Sequence, residues 1–138
     1  MTSELEYVEK LRKSGLRPTK QRLKICNVLF NSDKTFHFTI NDLVKKIELV
    51  DNQKISLATV YNTVHAFEKK GYLKEIAINS SQTYFDTNTT EHHHFFDEKH
   101  KELIDLENAD VLPIKIKKNI PGKKIKSIEL LIRVNTDK

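Results

Sequence analysis

Residues 56–86 read SLATVYNTVHAFEKKGYLKEIAINSSQTYFD, and this stretch decides the fold. Ser56 is an N-cap residue, and Leu57, Val60, Val64 and Phe67 recur at the spacing of one helix face. Gly71 is placed to end such a helix. The period then changes. Tyr72, Leu73, Ile76 and Ile78 are β-prone, Asn79-Ser80-Ser81 reads as a turn, and Thr83-Tyr84-Phe85 reads as a second strand. A helix followed at once by a hairpin is the pattern of a recognition helix and its wing.

Working back towards the N-terminus, Thr39 caps a helix over 40–49 whose Ile40, Leu43, Val44 and Ile47 make one apolar stripe. With the helix from Leu57 it forms a helix-turn-helix. Thr19, just after Pro18, starts a helix that runs to Phe30. Leu5, Val8 and Leu11 mark a first helix over 4–13, closed at Gly15. Working forward, the polar run 87–90 is a hinge, dividing the chain into 1–87 and 88–138. The second part is β-rich, with strands expected at 94–96, 103–106 and 125–134 and a short helix over 113–120. The fold class is therefore α+β: an N-terminal winged helix-turn-helix followed by a small β-rich α/β domain. About fifty residues bury too little apolar surface to stand alone, so that domain is expected to pair with a second copy as a dimerisation domain, making a homodimer.

Composition narrows the function. The chain of 138 residues carries a net charge of +5. Residues 1–87 hold 14 Lys/Arg against 10 Asp/Glu, and between Lys10 and Lys24 there is no acid at all. A basic segment beside a near-neutral remainder suits contact with phosphate, although a solvated helix face has the same look. The one cysteine, Cys26, excludes an internal disulfide and a cysteine-bound structural zinc. It falls in the apolar pattern Leu23, Cys26, Phe30 and reads as core. The first apolar stretch is broken by Glu4, Glu6, Glu9 and Lys10, and no apolar run approaches the ~20 residues of a membrane span. A cytoplasmic protein without membrane contact is expected.

Two groups of residues carry chemistry. The face of the Ser56 helix opposite its apolar stripe shows Ala58, Thr59, Asn62 and Ala66, with Tyr61 and His65 along its edge. Small polar residues near the helix start let a helix enter the major groove, where Asn can pair with adenine and a Thr methyl or Tyr ring can meet thymine. Ser56 leaves backbone N–H groups for a phosphate. Periodicity alone allows a plain amphipathic helix. The second group is His92-His93-His94, with Asp86 six residues earlier across the hinge. Imidazole binds zinc, iron and manganese, and carboxylates complete such sites. In an extended chain His92 and His94 point one way and His93 the other, so the segment can serve two sites, or one site and a structural contact. An exposed polar loop is the plain alternative. No HExxH and no general base accompany the cluster, which argues against a metal hydrolase, so an enzyme is not expected.

Ile55-Ser-Leu-Ala-Thr-Val-Tyr61, Gly15-Leu-Arg-Pro-Thr-Lys-Gln-Arg22, Phe67-Glu-Lys-Lys-Gly71 and Tyr84-Phe-Asp86 followed by His92-His-His94 resemble, in order, the motifs of the ferric uptake regulator family. The resemblance implies a dimeric DNA-binding regulator of AT-rich palindromes. Its DNA contacts would be Arg17, Thr19, Gln21 and Arg22 at the second helix, the position of Arg17 entering the minor groove. They would continue with Ser56, Ala58, Thr59, Tyr61 and Asn62 at the fourth, the position of Tyr61 touching thymine. It also implies a metal or haem site from His37, Asp86, His92, His93 and His94. The family's inter-domain site maps to His37, Asp86, His93 and Phe95, and Phe95 departs from the usual His. A second His-cluster site would use His92 and His94, with Asp110 as the nearest acid. Residues 97–101 stand where a cysteine pair is usual. The run Tyr84 to Phe96 with Tyr61-Asn62-Thr63 resembles the iron response regulator branch, which senses haem. The expected function is thus a regulator of iron homeostasis, repressor or activator, responding to haem or iron. The alternative is direct sensing of manganese, zinc or ferrous iron.

Overall fold

The structure, a computed structural model, describes residues 3–136. The chain divides after Thr89 into two compact units. The first runs α1 Glu4–Lys13, α2 Lys20–Phe30, β1 His37–Phe38, α3 Ile40–Asp51, α4 Leu57–Lys70, β2 Lys74–Asn79 and β3 Gln82–Asp86. Each helix begins where a side chain satisfies an orphan backbone donor. Thr19 accepts from the Arg22 N–H, Ser56 accepts from the Thr59 N–H, and Thr39 forms a reciprocal capping box with Asp42. Gly71 ends α4 in the left-handed region at φ 89°, where a Cβ would be strained.

The core of this unit is built from Leu11 of α1, Ile25, Cys26 and Leu29 of α2, Leu43 and Ile47 of α3, and Val60, Val64 and Phe67 of α4, closed by Phe38 and Phe85. Burial pushes the Cys26 thiol up to about 12, which disfavours the thiolate and suits a core residue. The strands form an antiparallel sheet in the order β1-β3-β2. Thus the β2–β3 hairpin follows α4 directly, as a wing. One expectation needs correcting. Leu57 does not pack with the α4 stripe but is 56% exposed, and Thr63 takes its place, its hydroxyl donating to the Thr59 carbonyl at 2.7 Å. The buried stripe is centred on Val60 and Phe67, and Leu57 lies at its edge in the first turn.

The second unit contains β4 His93–Asp97, β5 Glu102–Leu106, a 3-10 turn at Asn108–Asp110 and β6 Leu131–Val134. The sheet order is β5-β4-β6, with β4 antiparallel to β5 and parallel to β6. The fold is α+β, as expected from the period change after Gly71. Two details differ. No helix forms over 113–120, where Ile114 and Ile116 alternate with a run of lysines instead of following a helical stripe. The final strand begins at Leu131, with the Leu130 carbonyl accepting from the His94 N–H just before it, so 125–129 are not in the ladder. No helix among the described residues is long and apolar enough to cross a membrane.

Candidate nucleic-acid interface and metal centre

The first unit presents a basic, polar surface at the starts of α2 and α4. Arg17, Thr19 and Gln21 are exposed, as are Ser56, Ala58, Tyr61 and Asn62, with Thr59 half-buried. Arg22 faces inward in part. Its Nη1 donates to the Arg17 carbonyl at 3.1 Å, beside the Thr19 N–H that donates to the same oxygen at 2.9 Å. Arg22 therefore shapes the Arg17 loop. The acid-free run between Lys10 and Lys24 is only partly available to a polyanion. Lys10 lies over the rings of Phe30 and Tyr72, and Lys24 pairs with Asp51, whose carboxyl it holds below the usual range. Arg12, Lys13, Arg17 and Lys20 are exposed. Sequence reasoning missed one basic feature, a groove of about 370 Å³ between the end of α1 and α4, lined by Lys13, Ser14, Asn62, His65, Lys69 and Lys70. Its signal was present in the basic last turn of α4, but the partner Lys13 comes from another helix.

In the same unit, Asp86 ends β3 with its side chain buried, accepting from the Asn88 N–H at 2.8 Å. His37 stands opposite it on β1. In the second unit, His92 and His94 are buried. The His92 Nδ1–H donates to the Thr90 carbonyl at 2.7 Å, which turns Nε2 outward as a lone-pair donor. That Nε2 lies 3.7 Å from Asp105 Oδ1, and His94 Nε2 lies 3.3 Å from the same oxygen. Donor atoms of His92, His94 and Asp105 all fall within 4.8 Å of one another. Two imidazoles, one on β4 and one just before it, with a carboxylate on β5 fit a divalent transition metal.

His93 points the other way, and both its nitrogens are engaged. Nε2–H donates to Asn108 Oδ1 at 3.1 Å, and Nδ1 accepts from the Leu130 N–H at 2.9 Å. The acid beside His92 and His94 is Asp105, with Asp110 placed in the 3-10 turn. Asp105 was findable from the hairpin register, which sets it opposite His94. Where a cysteine pair is usual, Asp97 accepts from the Lys99 and His100 N–H groups and pairs with the His100 ring at 2.8 Å, closing the β4–β5 turn. His100 is exposed there. His65 is half-buried and contacts aromatic rings on both sides.

A helix-turn-helix with a wing and a basic approach, followed by a β-rich unit carrying grouped imidazole and carboxylate donors, defines a DNA-binding regulator. The model of the Ferric uptake regulator family matches residues 13–133. The peroxide-responsive repressor PerR of Staphylococcus aureus is 32% identical over 102 residues, which cover 74% of this chain and 67% of that relative. The ferric uptake regulator of Pseudomonas aeruginosa, solved with manganese, superimposes with a TM-score of 0.68 at 22% identity over 96% of this chain and 98% of its own. That of Vibrio cholerae gives 0.70 at 21% identity over 93% and 98%. At those identities the likeness is one of fold. The chain belongs to the ferric uptake regulator family of transcriptional regulators.

Proposed function

We propose that this chain is a homodimeric, DNA-binding transcriptional regulator whose hold on DNA is set by one divalent ion, ferrous or manganous. The observation that carries the reading is the donor set: buried His92 and His94 with the Asp105 carboxylate at 3.3–3.7 Å. Two histidines and one carboxylate are the donors of many ferrous sites. Within the first unit, Asp86 and His37 stand side by side across β1 and β3 and are a second pair of candidate donors. When bound, such an ion supplies a fixed positive charge that ties His92, His94 and Asp105 together. His93 is left out, since both its nitrogens are engaged, and it braces the strand. This reading prefers the direct metal sensor over haem, because the donor set includes the Asp105 carboxylate, which is not among the usual axial ligands of haem iron.

Dimerisation is supported by the apolar balance of the second unit. Phe96 and Leu103 are buried, whereas Ile104, Leu112, Ile116, Ile120 and Ile125 are exposed, Leu112 at 86%. A second copy is the expected cover. Sensing iron or manganese places the protein in metal homeostasis; the name of the Staphylococcus aureus relative adds a peroxide response as a further property to test.

The experiment is an anisotropy titration of full-length protein on an AT-rich palindromic duplex, with manganese, ferrous iron, zinc and haem in turn. Manganese and ferrous iron are expected to tighten binding. Release of DNA by haem, with no effect of the metals, overturns the metal reading in favour of haem. Hydrogen peroxide added to the ferrous and manganous forms tests the peroxide response; release confined to the ferrous form is the expected result.

The DNA face makes a separate prediction. Arg17→Ala removes one charge and lowers the salt slope of binding by roughly one unit, with a larger loss on AT-rich sites if the side chain enters the minor groove. Tyr61→Ala costs about 1–3 kcal/mol and relaxes base preference at one position per half-site. A changed salt slope for Tyr61→Ala and an unchanged one for Arg17→Ala contradicts the assignment.

A further inference from the structure

Tyr61 projects from the first half of α4 and is 52% exposed. A free tyrosine on a helix surface samples several rotamers, and fixing one on binding costs affinity and sharpness of readout. Here the ring is supported. Helical side chains lean towards the N-terminus, so a residue four positions later covers the one before it. That residue is His65, whose ring centroid lies 4.2 Å from that of Tyr61. His65 is itself backed by the wing: its ring meets the buried Phe85 of β3 edge-on, at 5.7 Å and 84°. Phe85 in turn stacks on Phe38 of β1 at 5.9 Å. The four rings form a column from the core of the sheet to the exposed face of α4.

We propose that His65 is a positioning residue for base reading: its imidazole, braced by Phe85, holds the Tyr61 ring in one setting before DNA arrives. The proposal rests on the reading above that Tyr61 meets bases. A flat ring at position 65 is what the task needs. A residue without a ring would leave Tyr61 mobile, and the groove lined by Lys13, Lys69 and Lys70 would still engage phosphates. His65 should therefore affect discrimination between bases more than charge-driven affinity, which the lysines of the groove supply.

The test uses full-length protein in wild-type, His65→Ala, His65→Phe and Tyr61→Ala forms. The DNA probes are a palindromic duplex selected by the wild type and variants of it with one base pair changed per half-site. The protein is also prepared with 3-fluorotyrosine, giving one fluorine signal for each of its four tyrosines, the Tyr61 signal being assigned with Tyr61→Phe. His65→Ala is expected to lower discrimination at the Tyr61 position by roughly 3- to 10-fold, the worth of one aromatic pair. Binding to random duplex should fall by much less than discrimination does, because Lys13, Lys69 and Lys70, the cations of the groove that His65 also lines, remain. It should also shift the Tyr61 fluorine signal and leave those of Tyr7, Tyr72 and Tyr84 in place, which reports an intact fold. His65→Phe should restore both readouts. Undiminished discrimination in His65→Ala, an unmoved Tyr61 signal, or no rescue by phenylalanine overturns the proposal while Tyr61→Ala still loses base preference. If Tyr61→Ala keeps full discrimination, the base-reading role itself has failed, and the role of His65 with it.

Discussion

Full-length protein with His92 and His94 both changed to alanine is expected to bind palindromic DNA as tightly as the metal-free wild type and to gain nothing on addition of manganese or ferrous iron. The two imidazoles are the nitrogen donors nearest Asp105, at 3.7 and 3.3 Å. Their loss leaves one half-exposed carboxylate in the second unit, too little to hold a divalent ion at micromolar concentration. The fall in metal affinity should exceed the roughly 10- to 100-fold that loss of an outer-shell partner causes. Asp105→Asn is the gentler companion. It keeps the shape of the side chain, removes the charge, and should weaken metal binding with little effect on stability, since this side chain is 40% exposed. Isothermal titration gives metal affinity, anisotropy gives DNA affinity, and circular dichroism confirms that both variants are folded. A normal manganese response in the folded double variant would falsify the site.

Phe67→Ala should be the most damaging single change in the first unit. Phe67 is fully buried and packs on Phe30 and Tyr72, with ring centroids 5.6 and 5.8 Å away. Truncating a buried phenylalanine costs about 3–5 kcal/mol, against a total stability of about 5–15 kcal/mol for a typical domain. A drop in Tm on the order of 20 °C follows for a unit of this size. Specific DNA binding should fail at physiological temperature, because α4 is the helix that loses its anchor. Leu57→Ala, on the same helix and equally apolar, should change stability by only about 0.5 kcal/mol or less. Thermal melts of the two variants check the contrast. Equal costs would mean that the α4 stripe is wrongly drawn.

That contrast also shows where the sequence is legible. Caps and breakers act locally, so Thr19, Thr39, Ser56 and Gly71 announced the helix ends that the structure has. Apolar periodicity found the buried side of α4 but not its edge, because the fate of Leu57 depends on whether a neighbouring element reaches the first turn. β1, at two residues, is too short to carry a period; only its pairing with β3 makes it a strand. The candidate donors divide in the same way. The histidine triplet and its alternation are visible in the chain, whereas Asp105 becomes a partner only through the β4–β5 register. The engagement of His93 depends on Asn108 and Leu130, which sequence spacing does not connect to it. Likewise, the basic run from Lys10 to Lys24 is uniform in sequence but not in space, where Lys10 lies over aromatic rings and Lys24 pairs with Asp51.

The parallel pairing of β6 with β4 has a consequence in time. The histidine strand is the middle of its sheet, and one of its two neighbours is made last, after β5 and the irregular stretch 111–130. His93 waits for the Leu130 N–H, and the His94 N–H waits for the Leu130 carbonyl. The first unit, whole by Thr89, needs none of this. A ribosome adding about 5–20 residues per second takes a few seconds to travel from one point to the other. For that interval a newborn chain holds a finished helix-turn-helix unit and a histidine strand with one neighbour still missing.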